Sequence, residues 1–564
     1  MTPPMHGNHE FNKVNYRLNL FNWFSIQVLM VTDDEVSYGD ALGVPISIHQ
    51  FGLKEVVRAL TNRPFGLPWI RVVKAHRRQD PMGTGSGATR VTPADIENFV
   101  FTANALNGFD QVWLFGAENA DPALDLSPAE LQALTHFMNA GGGVFATGDH
   151  ADLGVTLNGM VPRVRSMRKW FFPNPGPNGE PVAPDPLSTN RLDTTQPNPP
   201  GQFPFDNQSD AIPMPIVPTW YGFGLFWKYP HPLLCGNQGV INVMPDHMHE
   251  GEVITPTGAD PNANWTGSGV PGGLGTTLNI NGEQIVEYPA QIPPFGYREA
   301  PVIVAQADVI GGHTTPSTES HVGTDVPTTA RRFACIGAYD GHRCGVGRVA
   351  VDSTWHHFFN LNLVGDPTAS PPKNQGFDAT PAGQAALAQI ENYYVNIVTW
   401  LTPNKWPFLL GWLLSVLRAA TTAELLPMAH RMGDPFLLQV GDAIHADLRR
   451  FFPPCTLLDF VLPIYWDMVR ELGLPVPPDP WATPPRETAI NPTEWAVAAL
   501  GGMAVALDAA LYHGEGFRRS EAKELLQQGM IKGLQVYAQT QAKQARAVLS
   551  QSEEMLKGLA THER

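Results

Sequence analysis

The sequence predicts an α/β protein in which a parallel sheet carries a long irregular insertion and is followed by an all-α carboxyl-terminal domain. Three observations lead there. In residues 1 to about 153, short β-branched runs alternate with helix-patterned stretches, the order that builds a parallel sheet with crossover helices. From about 154 to 300 no helix-length period survives, and proline accumulates, as in PNPGPNGEPVAPDP at 173–186. So long a stretch without regular elements is expected in a compact domain only where it covers a site. Past the linker DPTASPPKNQG at 366–376, apolar residues recur at helical spacing to the end, and no proline follows Pro492. The expected domains are 1–375, with the insertion at about 154–300, and 376–564.

Each element has a local reason. Strands are expected at Ile26 to Val31, Trp69 to Lys74, Gln111 to Phe115 and Gly143 to Thr147, all short apolar or β-branched runs. Helices are expected from about Gly52 to Leu60, from Pro93 to Leu106 and from Ser127 to Ala140. The last is the best signalled: Ser127 caps, Pro128 fits the first turn, Glu130 stands three residues after the cap, and Gly141 to Gly143 end it. Three later runs, Val302 to Ala305, Phe333 to Ala338 and Gly347 to Val351, bring the chain back to the sheet. The closing stretch from Ser520 to Leu559, rich in Ala, Gln, Glu, Lys and Leu, has strong helix propensity.

Composition narrows the function. A formal net charge of −16 lacks the broad basic footprint of a nucleic-acid binder. With 53 glycines and 53 prolines but 43% hydrophobic residues, the chain is loop-rich and still able to bury a large core. Four cysteines without a CxxC pair support neither a disulfide scaffold nor a zinc knuckle. The amino terminus, MTPPMHGNHEFNK, has no basic region followed by an apolar stretch, and the longest apolar run, Trp406 to Leu417, is too short to span a bilayer. A cytoplasmic protein with reduced thiols and no membrane partner is expected.

In an open parallel sheet, ligands bind beyond the carboxyl ends of the strands. The first strand ends in Asp33, Asp34 and Glu35, the third leads to Gly116 and Glu118, the fourth to Gly148, Asp149 and His150, and the late run at 347 to Asp352, His356 and His357. Acids and imidazoles at four strand ends suit acid–base chemistry. Capping and turn formation account equally well for Asp33 and Asp34. The two adjacent histidines point in different directions, so one of them is expected to face the site. In the insertion, PDHMHEGE sets His247 and His249 on one face of an extended chain, an arrangement that two imidazoles can use on a divalent ion together with Asp34; a polar loop would read the same. Arg163 and Arg165 follow the Asp149 turn and suit an anionic substrate group, or else neutralise the acids. The GTGSG run at 83–87 lacks the Lys-Ser/Thr ending of a phosphate loop, so no nucleotide cofactor is expected.

The runs VLMVTDD, FDQVWLFGAE, LSPAELQALTHFMNAGGGVFATGDH and VAVDSTWHH together resemble the class I glutamine amidotransferase-like superfamily, over roughly residues 24–153 and 300–365. The resemblance implies a flavodoxin-like sheet, with a nucleophile elbow after the fourth strand and a histidine from a later strand. Catalytic members carry cysteine at the elbow, where this chain has Asp149, so it is most similar to divergent branches such as the trehalose-utilisation-like proteins. The resulting expectation is a hydrolase acting on an amide or related C–N bond, with Asp149, His150, Glu118, Asp352 and His356 as catalytic candidates. Arg163 and Arg165 would then bind substrate, and Asp34, His247 and His249 one divalent metal ion. The alternative is a non-catalytic amidotransferase-like scaffold whose helical domain drives homo-oligomerisation or docks a protein partner.

Overall fold

A computed structural model describes residues 25–40, 51–62, 68–118, 125–149, 153–168, 212–223, 227–237, 239–245, 253, 274–290, 298–309, 331–367, 374–403, 405–417, 420–474, 479–481, 490–512 and 519–562. The chain divides into two compact units, one built mainly from 25–221 and 229–403, the other mainly from 404–564.

The first unit is organised by a nine-stranded mixed sheet among the described residues. Its parallel strands are β1 (Ile26–Thr32), β2 (Ile70–His76), β3 (Gln111–Phe115), β4 (Gly143–Thr147) and, late in the chain, β9 (Val349–Asp352). They lie side by side in the order β2-β1-β3-β4-β9, every neighbouring pair parallel. Strands β3, β4 and β9 are buried at every residue, as their unbroken apolar runs require of strands covered on both faces. Beyond β9 the sheet continues antiparallel through β8 (Arg331–Tyr339), β7 (Val302–Val309), β5 (Met214–Pro218) and β6 (Val243–Met244). The insertion therefore supplies two strands of its own.

Alternation along β3 separates the two layers. Val112 and Leu114 pack with Val144, Ala146 and the apolar stripe Leu131, Leu134 and Met138 of α2 (Pro128–Asn139). Trp113 and Phe115 face the other way, where Phe145 and Phe358 join them at centroid distances of 5.0 to 5.4 Å. That second face is covered by α3 (Pro381–Leu401), whose Tyr394 ring lies 5.3 Å from Phe358, with α1 (Lys54–Thr61) alongside through an Arg58–Glu391 ion pair of 2.6 Å.

Helix α2 forms as its sequence requires. The Ser127 hydroxyl accepts from the Glu130 amide at 3.3 Å while the Glu130 carboxylate accepts from the Ser127 amide at 3.1 Å, a reciprocal capping box. The helix expected from Pro93 to Leu106 is reduced to a single turn, Ala103–Leu106. Residues 95–96 run instead beside β2, where Ile96 bridges Ala75 and Asp95 and Ile96 donate to the Lys74 carbonyl, which covers an otherwise open sheet edge.

Sequence periodicity places α3 in the helical domain, but the helix packs on the sheet. Gln111 donates from Nε2 to the Val398 carbonyl, and Arg348 donates to the Trp400 carbonyl at 2.8 Å. The division between units accordingly falls after Pro403 rather than at 375. Cys335 and Cys344 are buried.

The second unit is helical: α4 (Lys405–Val416), α5 (Ala420–Met432), α6 (Asp434–Leu448), α7 (Pro454–Leu472), α8 (Pro492–Tyr512) and α9 (Arg519–His562). The window Pro492–Leu511 within α8 is long and apolar enough to cross a membrane, a length the apolar run at 406–417 does not reach, and 67% of it is buried by its neighbours. Close approach explains the burial: a Cβ on Gly502 would meet the Gly529 carbonyl oxygen of α9, and one on Gly501 would meet the Leu437 carbonyl oxygen of α6.

Candidate functional site

Because five neighbouring strands are parallel, their carboxyl ends share one rim. The chain leaves β3 through Gly116-Ala117-Glu118 and returns, after the elbow at Gly148-Asp149, through Gly154. These two exits lie backbone against backbone: a Cβ on Gly116 would stand 2.7 Å from the Gly154 oxygen, and one on Gly154, whose φ is +90°, 2.6 Å from the Gly116 oxygen. The Gly154 amide donates to the Glu118 carbonyl at 2.8 Å. The one-turn helix Val155–Asn158 that follows anchors the elbow, since Asn158 Nδ2 donates to the Thr147 carbonyl at 2.6 Å.

Asp149 is 1% exposed, and its Oδ2 lies 3.4 Å from His356 Nε2, itself on a residue 1% exposed. The imidazole comes from a tight turn, Trp355–His357, begun by the Thr354 hydroxyl accepting from the His356 amide at 3.1 Å. His356 Nδ1 faces the Asn362 amide oxygen at 3.3 Å. With that oxygen as acceptor, Nδ1 donates, and Nε2 is the ring nitrogen turned toward the Asp149 carboxylate. Arg168, fully buried, clasps the turn from behind: its Nη2 donates to the carbonyl oxygens of Asp149 and of Ser353, the latter at 3.1 Å.

The neighbouring histidine has a different partner. His357 Nδ1 lies 2.8 Å from Asp352 Oδ1, and Asp352 Oδ2 accepts from the Tyr393 hydroxyl of α3 at 2.8 Å. The Tyr394 hydroxyl donates to the His357 carbonyl at 2.5 Å. With Asp352 and His357 both fully buried, this group ties β9 to α3.

At the ends of β1 and β3 the acids gather. Asp33 is buried, its Oδ1 accepting from the Ala117 amide at 2.7 Å and its Oδ2 lying 3.5 Å from the Thr156 hydroxyl. Burial pushes its pKa up to about 7; the Ala117 N–H opposes this, and the carboxylates of Glu118 and Asp34 add to it. Glu35 is pushed up to about 8 by burial first and then by Asp34 and Glu118. Asp34 adopts a left-handed φ of 44°, and its carbonyl lies 3.2 Å from His76 Nε2. Glu118 pairs with Arg78 at 2.8 Å.

The remaining candidates lie elsewhere. Arg163 and Arg165 do not join this rim. The Arg163 amide donates to Glu287 at 2.8 Å and its guanidinium to Asn139, at the end of α2 that leads into the start of β4; Arg165 pairs with Glu287 at 3.4 Å. Arg165 thus neutralises the buried Glu287, which is not one of the strand-end acids that the sequence set beside these arginines. His150, His247 and His249 lie outside the described residues. Among the described residues no group of three or more His, Cys, Asp or Glu side chains is placed to hold a metal ion. Two contributors carry no sequence signal of their own: Asn362 reaches His356, and Tyr393 reaches Asp352, from later elements. Arg168, which stands with Arg163 and Arg165 in PRVRSMRKW after the Asp149 turn, acts through main-chain oxygens rather than on an anionic group.

The chain matches no protein-family model, and no curated protein is significantly similar to it.

Proposed function

We propose that the chain is a hydrolase acting on an amide or related C–N bond at the carboxyl rim of the sheet, with Asp149 and His356 as its acid–base pair. The observation that carries this reading is their 3.4 Å contact at the junction of two parallel strands that are 200 residues apart in sequence. The strand order, second-first-third-fourth-fifth, supports a flavodoxin-like sheet, and an elbow residue facing a histidine from the last parallel strand supports the glutamine amidotransferase-like resemblance. A thiolate mechanism does not belong to the proposal, because the elbow is an aspartate.

The chemistry then runs through water. Asp149, ionised and held by His356, takes a proton from a water molecule as its oxygen bonds to the carbonyl carbon; the same proton passes to the leaving nitrogen as the C–N bond breaks. Asp33, with a pKa near 7, is a second group able to exchange a proton at neutral pH. A divalent ion at Asp34 would need His247 and His249, and no step above requires it.

The test is ammonia or amine release from a panel of carboxamides, ureas and cyclic amides. Asp149→Asn and His356→Ala are expected to lower turnover by roughly 100-fold or more, while His136→Ala, on an exposed side chain, leaves it unchanged. Turnover that survives both rim substitutions overturns the proposal.

One observation favours a second reading. Both members of the pair are 1% exposed, with Arg168 clasping the turn behind them, as in a buried structural link on a non-catalytic scaffold. On that reading no member of the panel is turned over, and the two substitutions lower only the melting temperature.

A further inference from the structure

The last helix outruns the unit it belongs to. In its first half, α9 buries Ala522, Leu526, Met530, Val536 and Tyr537, and the Tyr537 hydroxyl donates to Glu494 of α8 at 3.1 Å. From 542 to 557 every side chain is exposed, so more than four helical turns project with no face covered. Four large apolar side chains lie in that stretch: Val548, Leu549, Met555 and Leu556, each between 60 and 68% exposed.

They are not scattered. Ala545, Val548, Ser552 and Met555 follow the alternating three- and four-residue spacing of a coiled-coil seam, and Ala542, Leu549 and Leu556 widen it on one side. Ser552 contributes little polarity there, since its hydroxyl returns to the Val548 carbonyl at 2.8 Å. The flank beside the widened edge carries Arg546 and, two turns on, Glu553.

We propose that this face pairs with the same face of a second copy of the chain, in antiparallel orientation, so that the protein is a dimer joined through α9. A two-fold axis beside residue 550 sets Ala545 against Met555 of the second copy, Val548 against Ser552, Ala542 against Leu556, and Leu549 against itself. Each small residue meets a large one, and the two largest gaps are filled from across the axis. The same axis brings Arg546 opposite Glu553 of the second copy, and the reverse, at both ends. In a parallel arrangement this flank would face the opposite flank of the second copy, where Gln544 and Gln551 stand, and the Arg546–Glu553 pairs would not form. Charge therefore selects the antiparallel pair.

The experiment is sedimentation of the full chain over a dilution series, at low and high salt. A dimer that dissociates on dilution, more readily in high salt, is expected. Leu549→Asp opposes two carboxylates at the axis and is expected to give monomer; the position is exposed, so an unchanged melting temperature and circular dichroism spectrum verify the fold. Arg546→Glu and Glu553→Arg are each expected to weaken the dimer, and the double variant to restore it. Orientation is read by oxidative cross-linking of cysteines placed at 542 and 556: Ala542→Cys mixed with Leu556→Cys gives a heterodimer, and Ala542→Cys alone gives none. A chain that is monomeric throughout, a dimer indifferent to Leu549→Asp, or a cross-link between two copies of Ala542→Cys each overturns the proposal.

Discussion

Asp33 ends β1 with its carboxylate out of water and one backbone N–H as its closest donor. Its pKa of about 7 in the folded chain stands well above the 3.8 of an unfolded aspartate. Between those values the folded chain keeps a proton that the unfolded chain has released, so this group's contribution to stability falls as pH rises through the window and is least favourable above it. Asp33→Asn keeps the acceptor for Ala117 and cannot ionise. Its unfolding free energy is expected to exceed the wild type's at about pH 8, by at most roughly 4 kcal/mol, and to match it at about pH 4, read as a melting-temperature offset present only at the higher pH; an equal offset at both pH values would refute the assignment. Little of this is legible in the sequence. Asp33 and Asp34 read alike there, and burial separates them: Asp33 turns inward to the Ala117 amide, whereas Asp34 takes the left-handed turn.

Among the elements, α2 shows what local sequence fixes by itself. Its cap, first-turn proline and terminating glycines lie within a few residues of one another, so the expected and observed boundaries agree. Ser127→Ala is expected to cost about 1 kcal/mol, measured by urea unfolding. Glu130→Ala should cost more, because Glu130 also holds Arg77 and accepts from the Phe101 amide. The helix expected over 93 to 102 does not form because the apolar residues there recur irregularly, and only the neighbouring β2 edge decides their conformation. At the elbow the constraint is steric: Gly116→Ala or Gly154→Ala must push apart a pair of backbones already in contact. Each is expected to lose roughly 2 kcal/mol or more; Gly87→Ala, also at a left-handed φ (+54°) but with nothing within 4 Å of the added Cβ, is the control that carries the backbone strain of Gly154 without the clash.

For the whole molecule, composition and periodicity are sufficient for the α/β class and the helical end, and insufficient for where one unit stops. Helix α3 has the same helical pattern as α4 to α9. What assigns it to the sheet is a set of long-range contacts, from Gln111 to Val398, Asp352 to Tyr393 and Arg348 to Trp400, which no local signal announces. A chain ending at 403 is accordingly expected to retain a cooperative thermal transition for the sheet unit, and a chain ending at 375, which strips Tyr393 from Asp352, to lose it. Calorimetry of the two truncations against the full chain decides this, and equal behaviour of both would return the boundary to 375.

The Tyr393–Asp352 bond also bears on how the molecule is made. A ribosome delivers β1 to β4 first, but the fifth parallel strand emerges some 200 residues after the fourth, and the tyrosine that quenches its terminal acid some 40 residues later still. Until then one flank of the nascent sheet is an open edge and the rim has its elbow but not His356, so the growing polypeptide needs that edge protected while the intervening residues are made, and the pair at the elbow can form only afterwards.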